Sequence, residues 1–304
     1  MRIGLAFNLR REEGEEWMEL LTREDVDRLL EAIESLGHRA VPMEVTGPPR
    51  EVINTVVEAR PDLILNLAEG LEGVSREAYY PAIFQMLRIP FTGSFSFALH
   101  VGLDKQLTEA ILSKRGIRVP RGALIRCDDP ALPEDLPFPL IIKPNAEGSS
   151  KGISQESVVE NREEAQELIK KLLPDYPQGL TAEEYIKGRE LAVPWLEAWP
   201  GGLLEIVEWE FQGDRDREIM DYESEAEGTL QAVCPPELEP QERQAVLALA
   251  DRAVHALELN DLGRMDIRLD PEGGPCLIEV NALPGLRPNF SFMTRALSKG
   301  LEFA

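Results

Sequence analysis

Sulfur and imidazole are scarce in this chain: its 304 residues include three cysteines and three histidines. Cys127, Cys234 and Cys276 are far apart and form no C-x-x-C pair, which argues against a disulfide framework or a zinc site and leaves reduced, structural thiols as the expectation. His38, His100 and His255 stand alone without metal-ligand spacing and suit helix-end or packing roles. No apolar run approaches the roughly 20 residues of a membrane helix, so no membrane partner is expected. Basic residues are also in deficit, with 32 Lys and Arg against 55 Asp and Glu and a formal charge of −23. That balance argues against nucleic acid as a partner, since phosphate backbones are bound by clustered Lys and Arg. Any anionic ligand must find a local cationic pocket. The opening residues, Met1 to Arg11, read as a strand followed by polar residues and lack the apolar core and cleavage site of a secretory signal. A cytoplasmic location is expected.

The hydrophobic share of 43% and charged share of 29% are those of a soluble globular protein, and the length suits two or three packed subdomains. The first part alternates strand and helix patterns: Arg2 to Phe7, Glu24 to Leu36, Ala40 to Met43, Glu51 to Ala59 and Asp62 to Leu67. Thr22 is a good N-cap for the first helix and Gly37 a good C′ residue. Repeated β-α-β units predict a mostly parallel sheet with functional residues at the strand ends, where Asn8 and Asn66 to Gly73 fall. Helices are expected over Arg76 to Leu87, Ser94 to His100 and Leu103 to Lys114. Beyond Pro120 strands dominate: Arg121 to Arg126, Pro139 to Lys143, a short one near Val158, Thr181 to Ile186, Glu190 to Glu197, Leu203 to Trp209 and Thr229 to Cys234. Two helices, Glu163 to Leu173 and Glu239 to Leu257, interrupt them.

Gly263 to Gly285 carries the strongest chemical signal. Two strand-like runs joined by Pro271-Glu272-Gly273-Gly274 hold Asp266, Glu279 and Asn281. Strand alternation puts Leu277, Glu279 and Asn281 on one face. Hard oxygen donors so placed suit Mg²⁺, which completes its shell with water or phosphate; an amphipathic hairpin with solvated acids is the plainer reading. The loop Ile141 to Ser154 has a strand ending in Lys143, small residues from Gly148 to Ser150 and a second lysine, Lys151. Backbone N–H groups there can fold over phosphates. Walker A spacing is missing, and an ordinary surface hairpin also fits such a loop.

Taken in order, GLDK (Gly102 to Lys105), IIKPNAEGSSKGIS, AEEYIKGREL (Ala182 to Leu191), GRMDIRLD and LIEVNALPG resemble the ATP-grasp superfamily, most closely D-alanine:D-alanine ligases. The resemblance runs from about Leu63 to the C-terminus. It implies an α/β and α+β protein: an N-terminal Rossmann-like α/β domain over 1–102, then a two-lobed ATP-grasp fold with a central lobe over 103–182 and a metal-bearing C-terminal lobe over 183–304. It also implies ATP-dependent, ADP-forming ligation of a small-molecule carboxylate to an amine through an acyl phosphate. ATP and Mg²⁺, or Mn²⁺ in its place, would be the cofactors, and a homodimer is suggested by the resemblance alone. Carried over by position, Lys105 and Lys143 would contact the phosphates, and the loop Glu147, Gly148, Ser149, Ser150, Lys151, Gly152 would close over them. Glu183 would accept from the adenine amino group, with Tyr185 and Ile186 beside the base, Glu190 on the ribose hydroxyls and Ile278 in the nucleotide site. Asp266, Glu279 and Asn281 would be metal ligands. Arg264 and the Gly285 N–H would stabilise the tetrahedral oxyanion.

Departures from the family pattern cluster on the substrate side. The first strand is followed by AFNLRREEGEEW, lacking the family's Gly-Gly-x-Ser-x-Glu turn, so Glu12, Glu13, Glu15 or Glu16 is expected to substitute for its glutamate. The His-Gly segment becomes Asn66 to Gly73, offering Glu69 or Glu72. Glu225 and Ala226 stand near a Lys-Tyr pair, and Arg287 is available to hold a substrate acid or to pair with an acidic neighbour. The expectation is a ligase whose acceptor differs from D-alanine and is cationic. A non-catalytic nucleotide-binding regulator is the alternative, for which the missing lysine at Glu225 speaks.

Overall fold

The structure, a computed structural model, describes residues 1–12, 14, 17–211, 219–220, 230–272 and 274–286. Strands β1 (Arg2–Phe7), β2 (Arg39–Glu44) and β3 (Leu63–Leu67) form a parallel sheet in the order β2-β1-β3. Helices α1 (Arg23–Ser35), α2 (Pro49–Ala59) and α3 (Arg76–Leu87) accompany it. Side chains of β1 enter two separate cores, Ala6 with Ile64 and Phe84 in one and Leu5 and Phe7 with Val26 in the other. Burial on both faces explains why β1 is apolar without alternation. Thr22 caps α1, as the sequence predicts, and does so through a reciprocal bond pair with Asp25; Gly37 follows the C-cap residue Leu36 at a φ of 79°.

Next come α4 (Ser96–Leu103) and α5 (Lys105–Lys114), then a second sheet of β4 (Gly122–Ile125), β5 (Leu140–Pro144), β6 (Val158–Val159) and β7 (Leu180–Glu184). Its strands are antiparallel in the order β4-β7-β5-β6, and α6 (Arg162–Leu172) packs against it. A third, antiparallel sheet contains β8 (Arg189–Leu196), β9 (Val207–Phe211), β10 (Leu230–Val233), β11 (Leu262–Leu269) and β12 (Pro275–Asn281) in the order β10-β9-β8-β11-β12, with α7 (Pro240–Ala256) beside it. Leu99 and Val101 of α4 and Leu112 of α5 are buried in the core of this third sheet. The two helices are therefore anchored to it while the chain on either side belongs to the other sheets. Among the described residues no helix is long and apolar enough to cross a membrane. All three cysteines are free, and burial pushes the Cys276 thiol up to about 12.

Two expectations change. The strand expected over Leu203 to Trp209 begins only at Val207, Leu203 making an isolated bridge to Trp195. Pro194 accepts from the Leu204 N–H but has no N–H to return, so the ladder cannot extend there. In β12, Leu277 does not share the face of Glu279. Asp266 pairs with Glu279 but Ile267 pairs with Leu277, so Ile278 is an inserted residue, a β-bulge. Leu277 turns into the core, while Ile278 and Glu279 stand together on the other side.

The turn from β7 to β8 depends on Gly188, whose φ is 139° and whose absent Cβ leaves room for the Leu269 carbonyl. Gly188→Ala combines a strained backbone with a backbone clash, and is expected to lower unfolding free energy by about 3 kcal/mol in urea titrations.

Candidate active site

A cavity of about 480 Å³ lies between the second and third sheets, with α3 and α5 contributing to its wall. Lys143 and Glu183 come from neighbouring strands of the second sheet, where Lys143 is opposite Thr181 and therefore diagonal to Glu183. Their side chains meet at 2.5 Å with exposures of 3% and 1%. Burial works against the Lys143 ammonium, but Glu183, Glu279 and Glu109 outweigh it and hold its pKa above the ordinary value. Lys105, the first residue of α5, reaches Glu279 Oε1 at 2.7 Å and donates to the Glu147 carbonyl at 2.5 Å. One lysine thus ties a helix, the bulged strand and the loop. Burial pushes the Glu279 carboxyl up, yet Lys105 and Lys143 keep it below its usual range.

Alternation on β11 points Arg264, Asp266 and Arg268 to the cavity and Met265 and Ile267 to the core. Arg264 grips Asp266 with two bonds of 2.8 and 2.7 Å, and Asn281 Nδ2 donates to Asp266 Oδ2 at 2.9 Å. Burial nonetheless leaves the Asp266 carboxyl above its ordinary value. Arg268 pairs with Glu190 at 2.5 Å, donates to the Gly188 carbonyl at 2.9 Å and lies 5.9 Å from the Tyr185 ring centre. The opening is otherwise apolar around Ile141, Tyr185, Ile186, Leu191, Trp209 and Ile278.

Two carboxylates and one carboxamide, Asp266, Glu279 and Asn281, converge here. No group of three His, Cys, Asp or Glu side chains suited to a metal occurs among the described residues. The set fits Mg²⁺ through its hard oxygen donors, provided that phosphate or water oxygens complete the shell.

The loop after β5 is held down by charge. Glu19 (side chain 8% exposed) meets Lys151 Nζ at 2.5 Å and Arg76 at 3.1 Å, while Arg76 also donates to the Ala146 carbonyl at 2.7 Å and lies 3.4 Å from Glu147. Burial pushes the Glu19 carboxyl up, but Arg76 and Lys151 bring its pKa below normal. Ser149 and Ser150 adopt φ of 49° and 56°. Glu19 Oε1 occupies the place where a side chain on Gly148 would begin.

Of the residues singled out from sequence, Lys105, Lys143, Glu147, Gly148, Ser149, Ser150, Lys151, Glu183, Tyr185, Ile186, Glu190, Arg264, Asp266, Ile278, Glu279, Asn281 and Gly285 all line the cavity. Gly152 instead packs behind the loop, where Pro144 and the Tyr176 hydroxyl leave no space for a side chain. Glu69 lines the cavity, whereas Glu72 and Glu12 are exposed. Asn8 explains the placement of Glu69: it is 1% exposed, and its Oδ1 accepts from the Gly70 N–H at 2.8 Å. Glu13, Glu15, Glu16, Glu225, Ala226 and Arg287 lie outside the described residues. Sequence reasoning missed Glu19 and Arg76, whose partners are remote in the chain, and Glu77 and Glu109, which stand on helices outside the recognised motifs. Glu69 and Glu77 face the cavity without a hydrogen bond or ion pair to another described residue. Burial is the main reason that Glu69 is raised well above the ordinary value and Glu77 to about 8.

Gly148→Ala must displace Glu19 from Lys151 or Arg76, and amide exchange across Pro144 to Gly152 is expected to rise about tenfold, matching loss of ~1.4 kcal/mol. Glu77 binds its proton in the folded protein up to about 8 and in the unfolded chain only to about 4.5. Its contribution is full below 4.5 and is lost as pH rises through 8. Chemical denaturation of the unliganded protein should show stability falling across that window, with a flatter profile in Glu77→Gln.

Comparison with known proteins agrees with this geometry. The family model described as D-ala D-ala ligase C-terminus matches residues 127–304. A D-alanine–D-alanine ligase of Xanthobacter autotrophicus is 30% identical over 283 residues, covering 90% of this chain and 86% of that protein. The uncharacterized protein y4sG of Sinorhizobium fredii is 28% identical over 288 residues, covering 91% and 83%. Among solved structures, D-alanine–D-alanine ligase from Bacillus anthracis complexed with ATP aligns with a TM-score of 0.80 at 20% identity, covering 100% of this chain and 93% of that one. VanG D-Ala:D-Ser ligase from Enterococcus faecalis aligns with a TM-score of 0.75 at 20% identity, covering 99% and 95%. The parallel N-terminal sheet, the two antiparallel sheets enclosing a cavity and these matches assign the chain to the D-alanine–D-alanine ligase family, with the ATP-grasp fold.

Proposed function

We propose that this protein is an ATP-dependent, ADP-forming carboxylate:amine ligase acting on an amino-acid or peptide-type substrate pair that differs from two D-alanines. The observation that carries the reading is the convergence of Lys105 and Lys143 with Asp266, Glu279 and Asn281 in one cavity that also presents the apolar side chains Ile141, Tyr185, Ile186, Leu191 and Ile278. Lysines supply the local positive charge that phosphates need in a chain of formal charge −23. Tyr185, Ile186 and Ile278 suit the faces of a purine, Glu183 its amino group and Glu190 a ribose diol. When bound at Asp266, Glu279 and Asn281, Mg²⁺ supplies charge neutralisation for phosphate oxygens.

In the proposed reaction, a substrate carboxylate oxygen takes the γ-phosphoryl group, the bond to the β-phosphate oxygen breaks, and ADP and an acyl phosphate result. The amine nitrogen then bonds to the acyl carbon, phosphate departs and a proton is released. Lys105 and Lys143 offset phosphate charge during the first transfer. Arg264 and the Gly285 N–H lie on the cavity wall and are assigned to the oxyanion of the second. Glu69 and Glu77 face the cavity with pKa values raised by burial, and a cationic amine beside them would draw both toward the ionised form, which supports an amine substrate carrying positive charge. VanG, a fold neighbour, is a D-Ala:D-Ser ligase, so this scaffold accommodates more than one acceptor. The D-alanine–D-alanine ligases among the relatives are enzymes, and nothing in the comparisons supports a non-catalytic regulator.

Release of ADP and phosphate from ATP is expected to require Mg²⁺, an acid and an amine, and mass spectrometry should detect the condensed product. Glu279→Gln is expected to lower turnover by about 100-fold or more. Formation of the D-alanine dipeptide from D-alanine alone at about 1 s⁻¹ or faster would falsify the substrate part of this reading.

A further inference from the structure

Behind the cavity wall, two carboxyl groups share one lysine. Glu109 of α5 is 7% exposed and Glu183 of β7 is 1% exposed, and the two side chains lie within hydrogen-bonding reach of each other. Glu183 Oε1 is occupied by Lys143 Nζ at 2.5 Å, and Glu109 Oε2 accepts from Gln106 Nε2 at 2.6 Å. The other oxygens, Glu109 Oε1 and Glu183 Oε2, are fully buried, and neither has a hydrogen-bond partner among the described residues. Two ionised carboxylates would oppose one ammonium, leaving an uncompensated charge and two orphan acceptors in a site without solvent. A single proton on Glu109 removes both defects. It makes one oxygen a donor and the other its acceptor, and it brings the trio to zero net charge.

We propose that Glu109 is a protonated positioning residue: its carboxylic O–H donates to Glu183 Oε2 and fixes the Glu183 carboxylate at the rim of the cavity, where it reads the nucleotide base. The role in base reading rests on the function proposed above; the protonation does not. The groups facing Glu109 are Glu183 from β7, Lys143 from β5, the Cys276 thiol from β12, and Gln106 and Lys105 from its own helix. Burial and the neighbouring Glu183 raise its pKa to about 10, against the opposing pull of Lys143 and Lys105. Held from behind, Glu183 keeps one oxygen pair oriented and does not rotate toward Lys143 alone. A neutral trio also repels a polyanionic nucleotide less than a trio of charge −1.

The test has two arms on the full chain. In the first, infrared spectra of unliganded wild type and Glu109→Gln, both labelled with ¹³C-glutamate, are compared at pH 9, above the value of about 8 for Glu77 and below that of about 10 for Glu109. A protonated-carboxyl band stronger in wild type than in the variant is expected, any share from Glu69, whose pKa is also raised, being common to both; spectra that do not differ overturn the protonation. In the second, calorimetry measures ATP and GTP binding to wild type, Glu109→Gln and Glu109→Leu. Leucine, which offers no donor, is expected to weaken ATP binding about tenfold and narrow the preference for ATP over GTP, while glutamine, whose amide still donates to Glu183, recovers most of both. ATP binding and selectivity unchanged in Glu109→Leu overturn the positioning role. If wild type binds no ATP, the nucleotide reading and the positioning role fall together, and the infrared arm alone decides the proton. That arm needs no leucine variant, so a folding defect in Glu109→Leu does not spare the proposal.

Discussion

A positive charge taken out of water must be matched, and that constraint organises this molecule. Lys143, Lys105, Lys151, Arg264 and Arg268 line one cavity, Arg76 braces the loop beside it, and each meets a carboxylate at 3.1 Å or closer. These pairs are poor sources of net stability, because desolvation consumes much of the attraction, but removing one partner from a buried pair costs about 3–5 kcal/mol. Their value is geometric. They hold a concentrated set of cations inside a strongly acidic protein without ligand. A phosphate entering such a place does not have to gather positive charge; it has to exchange places with carboxylates that already hold it.

Much of this was legible in the chain. The Thr22 cap, the β-α-β rhythm and the paired strands around Asp266 and Glu279 follow from local rules that tertiary packing does not override. Ordered motifs located nearly every lining residue of the second and third sheets. What stayed hidden is of two kinds. Glu19 meets Arg76 and Lys151 across separations of 57 and 132 residues, and no periodicity encodes such a meeting. Nor does alternation reveal an inserted residue: the bulge at Ile278 appears only when β12 is read against its partner, and without it Leu277 is assigned to the wrong side.

That bulge also accounts for the mixed character of the wall. In a regular strand, neighbours face opposite ways, so an apolar contact and a ligating carboxylate cannot be adjacent. The insertion places Ile278 and Glu279 on the same side, so one short segment serves both a flat apolar surface and a charged one.

The short connection Tyr185 to Gly188 is the covalent link from the second sheet to the third, and it is also part of the cavity wall through Tyr185 and Ile186. Arg268 seals it to β11 through the Gly188 carbonyl. An occupant pressed against those two side chains therefore bears on the joint itself. Affinity for the occupant and the angle between the sheets become linked quantities: whatever opens the angle must weaken the occupant by the same free energy with which the occupant resists opening.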